Sequence, residues 1–165
     1  MFKEVVVLLD GSVAAERALD AAMPAVVGYG AHLVLARIVG PVAPRGPIPP
    51  ELSRLDSRHM EQALEYLEGV RDRLTRRYGL EPEVKAILGD LYESVADLAC
   101  GEQRLLVLAS HGAGGALHRR YGSVARYALD HCRCAVLVVR VTDSRGRLRS
   151  YEEPALSVPA PAPRP

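Results

Sequence analysis

The sequence has few aromatic residues and almost no net charge. Tryptophan is absent, phenylalanine occurs once, and aromatic residues make up 5% of the 165 residues. Proteins that bind single-stranded nucleic acid stack bases on aromatic side chains, so this composition argues against that class. The formal net charge of +1 provides no basic field of the kind that attracts nucleic acid or an anionic membrane surface. The length fits one domain with a buried core.

Cysteines and long hydrophobic runs are also scarce. Cys100, Cys132 and Cys134 are too few and too irregular for a zinc site or a disulfide scaffold, and we interpret them as small hydrophobic residues near a strand. The N-terminal stretch MFKEVVVLLDGS does not have the pattern of a signal peptide. The apolar stretch Ala21–Ala36 is interrupted by proline, glycine and histidine, which argues against a membrane span. We therefore expect a cytoplasmic protein.

What the sequence does contain is an alternation of short apolar runs and helical patterns. The five runs are Val5–Leu9, Leu33–Val39, Val84–Leu88, Leu105–Ala109 and Ala135–Val141. All but the third are nearly continuous, as is typical of parallel strands that are covered on both faces. Ser12 is predicted to cap a first helix that runs to about Tyr29, where Gly28 and Gly30 end it. Apolar periodicity predicts further helices from Leu52 to a stop at Gly79, over Tyr92–Gly101 and over Ser123–His131. This order predicts an α/β fold with a doubly wound, open five-stranded parallel sheet and helices on both faces.

The second predicted helix is long and amphipathic. One face is predicted to carry Leu52, Leu55, His59, Ala63, Leu67, Val70 and Leu74, with His59 in a structural role. Before this helix, residues 40–50 hold five prolines and predict a stiff loop. The final residues, 143–165, are polar and then proline-rich, so we expect a disordered tail after a domain of residues 1–142.

Two predicted turns carry residues suited to ligand binding. In an open α/β sheet, ligands bind beyond the carboxyl ends of the strands, at the point where the strand order reverses. The first turn is LLDGS, in which Asp10 can accept a hydrogen bond from a ribose hydroxyl or help to hold a divalent cation. An alternative is that Asp10 only accepts bonds from the backbone of its own turn. The second turn follows strand four, and the two turns face one crevice if strands one and four are neighbours.

The second turn, SHGAGGALHRRYGS, is rich in glycine and positive charge. Gly112, Gly114 and Gly115 allow backbone N–H groups to approach an anion closely. Gly122-Ser123 adds N–H groups at a helix N-terminus, and His118, Arg119 and Arg120 add local charge. The spacing matches neither the Walker pattern nor the dinucleotide fingerprint. From the residues alone, a phosphate-binding loop and a flexible surface connection explain this stretch equally well.

Five segments carry a resemblance to a known family. They are VVVLLDGSVAAERAL, AHLVLARIV, ILGDLYESVADLA, LVLASHGAGGALHRRYGSVARYAL and HCRCAVLVVR. Over residues 3 to about 141 the chain resembles a universal stress protein domain. The resemblance implies a Rossmann-like fold of the adenine nucleotide alpha hydrolase type, with strand order 3-2-1-4-5. It also implies a dimer. The last strand, Ala135 to Val141, is an unpaired apolar edge in this order, so we expect a homodimer that pairs this strand with its copy.

The resemblance extends to part of the family's nucleotide motif. Its ATP-binding members carry Gly, two residues, Gly, nine residues and then Gly-Ser or Gly-Thr. Gly112, the nine residues 113–121 and Gly122-Ser123 match the last two parts of this motif. In the family, the first glycine of the motif keeps space near the nucleotide. In this chain Ala109 stands at that position and adds one methyl group there. Arg104 stands where the family often has Asp, and we expect it to lie outside the pocket.

The resemblance implies a role for each matching residue. Asp10, with the Gly11-Ser12 turn after it, would lie near the ribose and phosphates, where it would also help to hold Mg²⁺. Ile38 would lie against the adenine. The other contacts to ribose and phosphates would come from Ala109, Ser110, His111, Gly112, Gly122, Ser123 and Val124.

These features together predict a binding module rather than an enzyme. We expect a stress-response protein that holds ATP, with magnesium, and signals through its bound state, without nucleic acid or membrane partners. No Ser-His-Asp or Cys-His order indicates a nucleophilic enzyme, and we predict no catalytic residue. The alternative is a family member that binds no nucleotide and acts as a structural or interaction module. A slow nucleotide hydrolase is the third hypothesis.

Overall fold

Five parallel strands and four helices alternate along the chain in the computed structural model, which describes residues 1–42, 50–111 and 121–140. The strands are β1 (Glu4–Leu8), β2 (His32–Val39), β3 (Glu83–Leu88), β4 (Arg104–Ala109) and β5 (Ala135–Val139). The helices are α1 (Val13–Tyr29), α2 (Pro50–Tyr78), α3 (Leu91–Leu98) and α4 (Ser123–His131). The sheet order is β3-β2-β1-β4-β5, and every pairing is parallel. The predicted fold class and strand order are therefore confirmed.

Two layers of apolar side chains enclose the sheet. On one face, side chains of β1, β2 and β4 pack against α1 and α2, and we call this the first core layer. On the other face they pack against α3 and α4, in the second core layer. Val5 and Val7 lie in the first layer and Val6 in the second, and all three are buried. Burial on both faces is the physical reason for the nearly continuous apolar runs.

The helix ends follow local capping chemistry. Ser12 is the N-cap of α1, and its Oγ accepts a hydrogen bond from the Ala15 N–H at 3.1 Å, as the sequence predicts. Gly30 ends α1 with a φ of +61°. Asp90 caps α3 by accepting from the N–H groups of Tyr92 and Glu93. The two N-caps, Ser12 and Asp90, follow the carboxyl ends of β1 and β3, so they set where the chain leaves the sheet.

Some predicted element bounds are wrong by a few residues. The helix predicted over Tyr92–Gly101 ends at Leu98, because the chain turns at Ala99 and Gly101 has a φ of +150°. β1 covers Glu4–Leu8 rather than Val5–Leu9. β5 ends at Val139, and Val141 lies outside the described residues. The boundary predicted after residue 142 and the tail of residues 143–165 also lie outside them, as does most of the proline-rich loop.

The apolar face predicted for α2 is only partly buried. Leu55 is 38% exposed and His59 is also exposed, so the prediction is wrong at both positions. Asp56, which the periodicity leaves off this face, is 4% exposed and accepts a hydrogen bond from the Val42 N–H at 2.8 Å. The physical reason is length: a helix of 29 residues spans about 43 Å, roughly twice the length of a neighbouring strand. The residues of α2 that pack over the sheet, Leu67, Val70 and Leu74, all lie in its second half.

The three cysteines differ in their surroundings. Cys132 and Cys134 are half-buried against the second core layer, and burial raises the pKa of both thiols. They are therefore small packing residues, as the sequence predicts. Cys100 is exposed, so the same interpretation is wrong there.

Within the described residues, none of the helices combines the length and the apolar composition that crossing a membrane requires.

We predict that packing at the centre of α2 contributes strongly to stability. Leu67→Ala removes a side chain with 0% exposure and is expected to lower the free energy of unfolding by about 2–5 kcal/mol, because a cavity remains. The control is Leu64→Ala on the same helix, where the side chain is 39% exposed and about 0.5 kcal/mol or less is expected. Urea unfolding of both variants is the measurement. Equal losses would contradict this placement of α2.

Candidate functional site

The strand register brings the predicted site residues of three strands to one level. Leu8 in β1 is paired with β2 on one side and with β4 on the other. Two positions beyond these paired residues, the chain carries Asp10, Ile38 and Ser110. Strand order reverses between β1 and β4, so this edge has the geometry at which open α/β sheets bind ligands. We call it the candidate site.

The turn after β1 is closed by its own side chains. One oxygen of the Asp10 carboxylate accepts hydrogen bonds from the Ser12 N–H at 2.9 Å and from the Ser12 Oγ at 2.6 Å. The alternative role of Asp10, bonding within its own turn, is therefore observed. The side chain is nevertheless exposed, and a carboxylate has two oxygens with about four acceptor positions, whereas both bonds from Ser12 go to the same oxygen.

Gly11 serves two purposes in this turn. Its φ is +88°, a conformation that residues with a Cβ rarely adopt. A Cβ at this position would also lie 3.2 Å from Nη1 and 3.3 Å from Cζ of Arg37. Glycine thus suits the backbone conformation and also leaves room for the close approach of an arginine.

The two ends of the glycine-rich stretch are in direct contact. Ser110 is 3% exposed, and its carbonyl oxygen accepts a hydrogen bond from the Gly122 N–H at 2.7 Å. The Ser110 N–H in turn donates to the Val139 carbonyl at 2.7 Å, which extends the pairing of β4 with β5. A Cβ on Gly122 would lie 3.2 Å from the Ser110 carbonyl oxygen, so a side chain would push the two segments apart.

This contact changes the role predicted for the Gly122 N–H. Its predicted acceptor is an anion, whereas in the structure the Gly122 N–H donates to the Ser110 carbonyl. The first helical bond of α4 is Arg126 N–H to the Gly122 carbonyl at 3.0 Å. The N–H groups of Ser123 and Val124 precede that bond and have no acceptor within the helix, and N–H groups of this kind are the ones that can donate to an anion at a helix N-terminus.

The remaining predicted residues occupy the same edge or lie outside the described part. Ala109 ends β4 and is half-buried, and the Nδ1 of the next-but-one residue, His111, lies 3.3 Å from Ser110 Oγ. Ile38 packs against the second core layer. Residues 112–120, which include Gly112 and the basic group predicted to flank it, lie outside the described residues.

Arg104 lies at the opposite end of the sheet. It begins β4, forms an ion pair with Glu4, and donates from Nη1 to the Leu98 carbonyl at 2.8 Å. The expectation that it lies outside the pocket is confirmed.

Sequence reasoning missed a cluster of side chains beside the β1–α1 turn. Cζ of Arg37 lies 5.3 Å from the centre of the Tyr66 ring, and Tyr66 Oη donates to Glu16 at 3.1 Å. Arg73 forms an ion pair with the same Glu16 at 2.8 Å. Burial, followed by the neighbouring Glu16, raises the pKa of Tyr66, so the phenol stays protonated. The one signal in the sequence was an arginine inside the apolar run LVLARIV.

Comparisons with known proteins identify the family and support the fold. A model of the Universal stress protein family matches residues 1–140. A search of curated proteins found no match. Among solved structures, the chain is similar to the universal stress protein UspA from Lactobacillus plantarum, with a TM-score of 0.74 and 23% identity. That match covers 84% of this chain and 98% of the other.

Two further solved structures are described with a bound nucleotide. One is a universal stress protein in complex with cAMP, with a TM-score of 0.64 and 22% identity, covering 86% of this chain and 99% of the other. The second is a universal stress protein family protein from Arabidopsis thaliana with AMP bound, with a TM-score of 0.54 and 16% identity. It covers 87% of this chain and 94% of the other. At these identities the matches show a shared fold.

We predict that Gly11 cannot be replaced without loss of stability. Gly11→Ala is expected to lower the free energy of unfolding by about 1–2 kcal/mol, because an L-residue is strained at positive φ. The control is Gly28→Ala in α1, where a Cβ meets nothing within 4 Å; alanine is expected to add about 0.5–1 kcal/mol in a helix. Thermal or urea unfolding measures both. A Gly11→Ala protein as stable as the parent would refute the turn geometry.

Proposed function

The chain belongs to the universal stress protein family, and from that premise we propose that it is a cytoplasmic stress-response module that binds ATP at the candidate site. The observation that carries the proposal is the hydrogen bond between Gly122 and Ser110. It holds the first turn of α4 at the end of β4, on the level of Asp10, which follows the neighbouring strand β1. A helix N-terminus, a carboxylate and an apolar strand end thus share one edge of the sheet.

These groups suit the three parts of an adenine nucleotide. The N–H groups of Ser123 and Val124, with the positive end of the α4 dipole, suit the phosphates. The Asp10 carboxylate suits a ribose hydroxyl, and the apolar side chain of Ile38 suits the face of the adenine. Support for an adenine nucleotide comes from two of the similar structures, which are described with cAMP and with AMP.

The donor set also fits magnesium that is held mainly by the phosphates. Mg²⁺ in nucleotide sites keeps several waters and takes one or two carboxylates in addition to phosphate oxygens. Asp10 supplies one carboxylate at the right edge of the sheet. The described residues contain no group of three or more His, Cys, Asp or Glu side chains that could hold a metal ion without the phosphates.

We propose binding, rather than turnover, as the function. The carboxylate of Asp10 accepts two hydrogen bonds from Ser12, a role that holds the turn in shape. Signalling through a bound state requires only that the liganded and unliganded forms differ for a partner. The alternative, a family member without nucleotide, is favoured by Ala109, whose methyl group stands where the ATP-binding motif has glycine.

We predict that the purified protein binds ATP and that Gly122→Val abolishes most of this binding. Valine would press on the Ser110 carbonyl and displace the first turn of α4, so the affinity is expected to fall at least about tenfold, equivalent to 1.4 kcal/mol. Calorimetric titration with ATP and Mg²⁺ is the measurement, together with identification of any nucleotide released on denaturation. The control is Gly69→Val in α2, where a Cβ meets nothing within 4 Å.

Three results would change this conclusion. A folded parent protein that releases no nucleotide and binds no ATP would favour the structural or interaction module. Unchanged binding by Gly122→Val would refute the placement of the phosphates. Phosphate release faster than a few turnovers per minute would favour a hydrolase.

We also propose a homodimer that pairs β5 with its copy. β5 is an edge strand that pairs only with β4 in the described sheet, and its Leu137 is 37% exposed. Exposed apolar edge strands favour pairing with a second chain.

We predict that Leu137→Lys yields a monomer, because charge on an edge strand opposes pairing. The control is Leu129→Lys on α4, where leucine is 47% exposed but lies off the strand. Sedimentation velocity at micromolar concentration is the measurement. A parent protein that is itself monomeric there would reject the proposed dimer.

A further inference from the structure

The guanidinium of Arg37 lies behind the turn that carries Asp10. Successive residues of a strand point to opposite faces, and Ile38 packs into the second core layer, beside the proposed adenine position. Arg37 therefore points to the other face, where its guanidinium meets Tyr66 of α2 and the Gly11 turn. The Arg37 guanidinium and the proposed adenine position therefore lie on opposite faces of the sheet.

Two contacts hold the guanidinium in this position. The Tyr66 ring lies beneath it, with Cζ of Arg37 at 5.3 Å from the ring centre, a distance typical of a cation–π interaction. The Tyr66 ring belongs to α2 and is linked to α1 by its hydrogen bond to Glu16, which also forms an ion pair with Arg73 of α2. On the other side, Gly11 leaves only enough room for the cation. A long side chain that is otherwise flexible is thus placed before any ligand binds.

The positive charge of Arg37 lies beside the turn that carries the negative charge of Asp10. Asp10 places a carboxylate directly before Gly11. This carboxylate can help to hold Mg²⁺, but it also repels ATP, which keeps a net negative charge when one Mg²⁺ is bound. Glu16, the other acidic residue in the cluster, forms its ion pair with Arg73. Within residues 1–42, 50–111 and 121–140, Arg37 contacts a ring face and a glycine rather than a carboxylate. Asp10 also helps to raise the pKa of Tyr66, which places it within electrostatic range of this cluster.

We propose that Arg37 is a positioning residue that offsets the charge of Asp10 through the β1–α1 turn, so that the candidate site favours phosphorylated nucleotides over uncharged nucleosides. The inference rests on the proposed function, namely that this site binds ATP. It adds a selectivity for the charge of the ligand, and it assigns that selectivity to a side chain of β2 on the face of the first core layer.

The test compares ATP with adenosine. Arg37→Met is expected to weaken ATP binding roughly tenfold and to change adenosine binding less than about twofold, because only ATP carries charge. Arg37→Lys keeps the charge and is expected to retain most of the ATP affinity, although it lacks the planar group that stacks on the ring. Calorimetric titrations at low salt measure these affinities.

Arg77→Met is the matched control. Arg77 also stacks on a tyrosine, with Cζ 5.0 Å from the Tyr78 ring, but it lies in the last turn of α2, at the opposite edge of the sheet. The Arg77→Met substitution removes the same charge and the same kind of contact, and ATP binding is expected to stay unchanged.

The dependence of ATP affinity on salt is a second readout. The ATP affinity of the parent is expected to fall more steeply with ionic strength than that of Arg37→Met. If Arg37→Met does not fold, Arg37→Gln replaces it.

The outcomes separate the inference from the function on which it rests. A parent protein that binds no ATP overturns both, before any variant is made. A parent that binds ATP while Arg37→Met binds it equally well overturns only the role of Arg37. Equal losses of ATP and adenosine affinity also overturn it, since they would show that Arg37 only maintains the fold of the turn. Selective loss of ATP binding with rescue by lysine supports it.

Discussion

The position of β1 between β2 and β4 is the constraint on which the rest of the structure depends. Parallel pairing on both sides fixes the register of three strands, so their carboxyl ends finish at one level. The chain leaves β1 and β4 toward opposite faces of the sheet, because α1 belongs to the first core layer and α4 to the second. The opening between these two exits lies at the level where the register brings Asp10, Ile38 and Ser110 together.

Two glycines turn this opening into a shaped site. Gly122 lets the start of α4 reach the Ser110 carbonyl, and Gly11 lets Arg37 reach the back of the first turn. In both cases the missing Cβ allows close contact between segments that are far apart in sequence. The two turns are therefore tied to the sheet at their ends. Such preorganisation reduces the conformational entropy that an ordered ligand contact would otherwise cost.

Local chemistry explains why so much of the fold was predictable. Nearly continuous apolar runs, the Ser12 cap and the Gly30 stop act over a few residues, and each appears in the structure as expected. The same reasoning failed along α2, where periodicity placed His59 on the buried face and left off Asp56. Periodicity reports which residues share a face. It does not report how far the neighbouring sheet extends beneath that face, and a long helix extends beyond the sheet it covers.

The sequence by itself determined the alternation of strands and helices, the capping residues and the two turns that carry the site, because these depend on neighbours within a few positions. Only the tertiary structure decided that the Gly122 N–H is used by Ser110, and that Arg37 stands behind Asp10 on the Tyr66 ring. Those contacts join residues of different elements. They exist only because the register of the sheet and the packing of α2 bring distant segments within a few ångströms of each other.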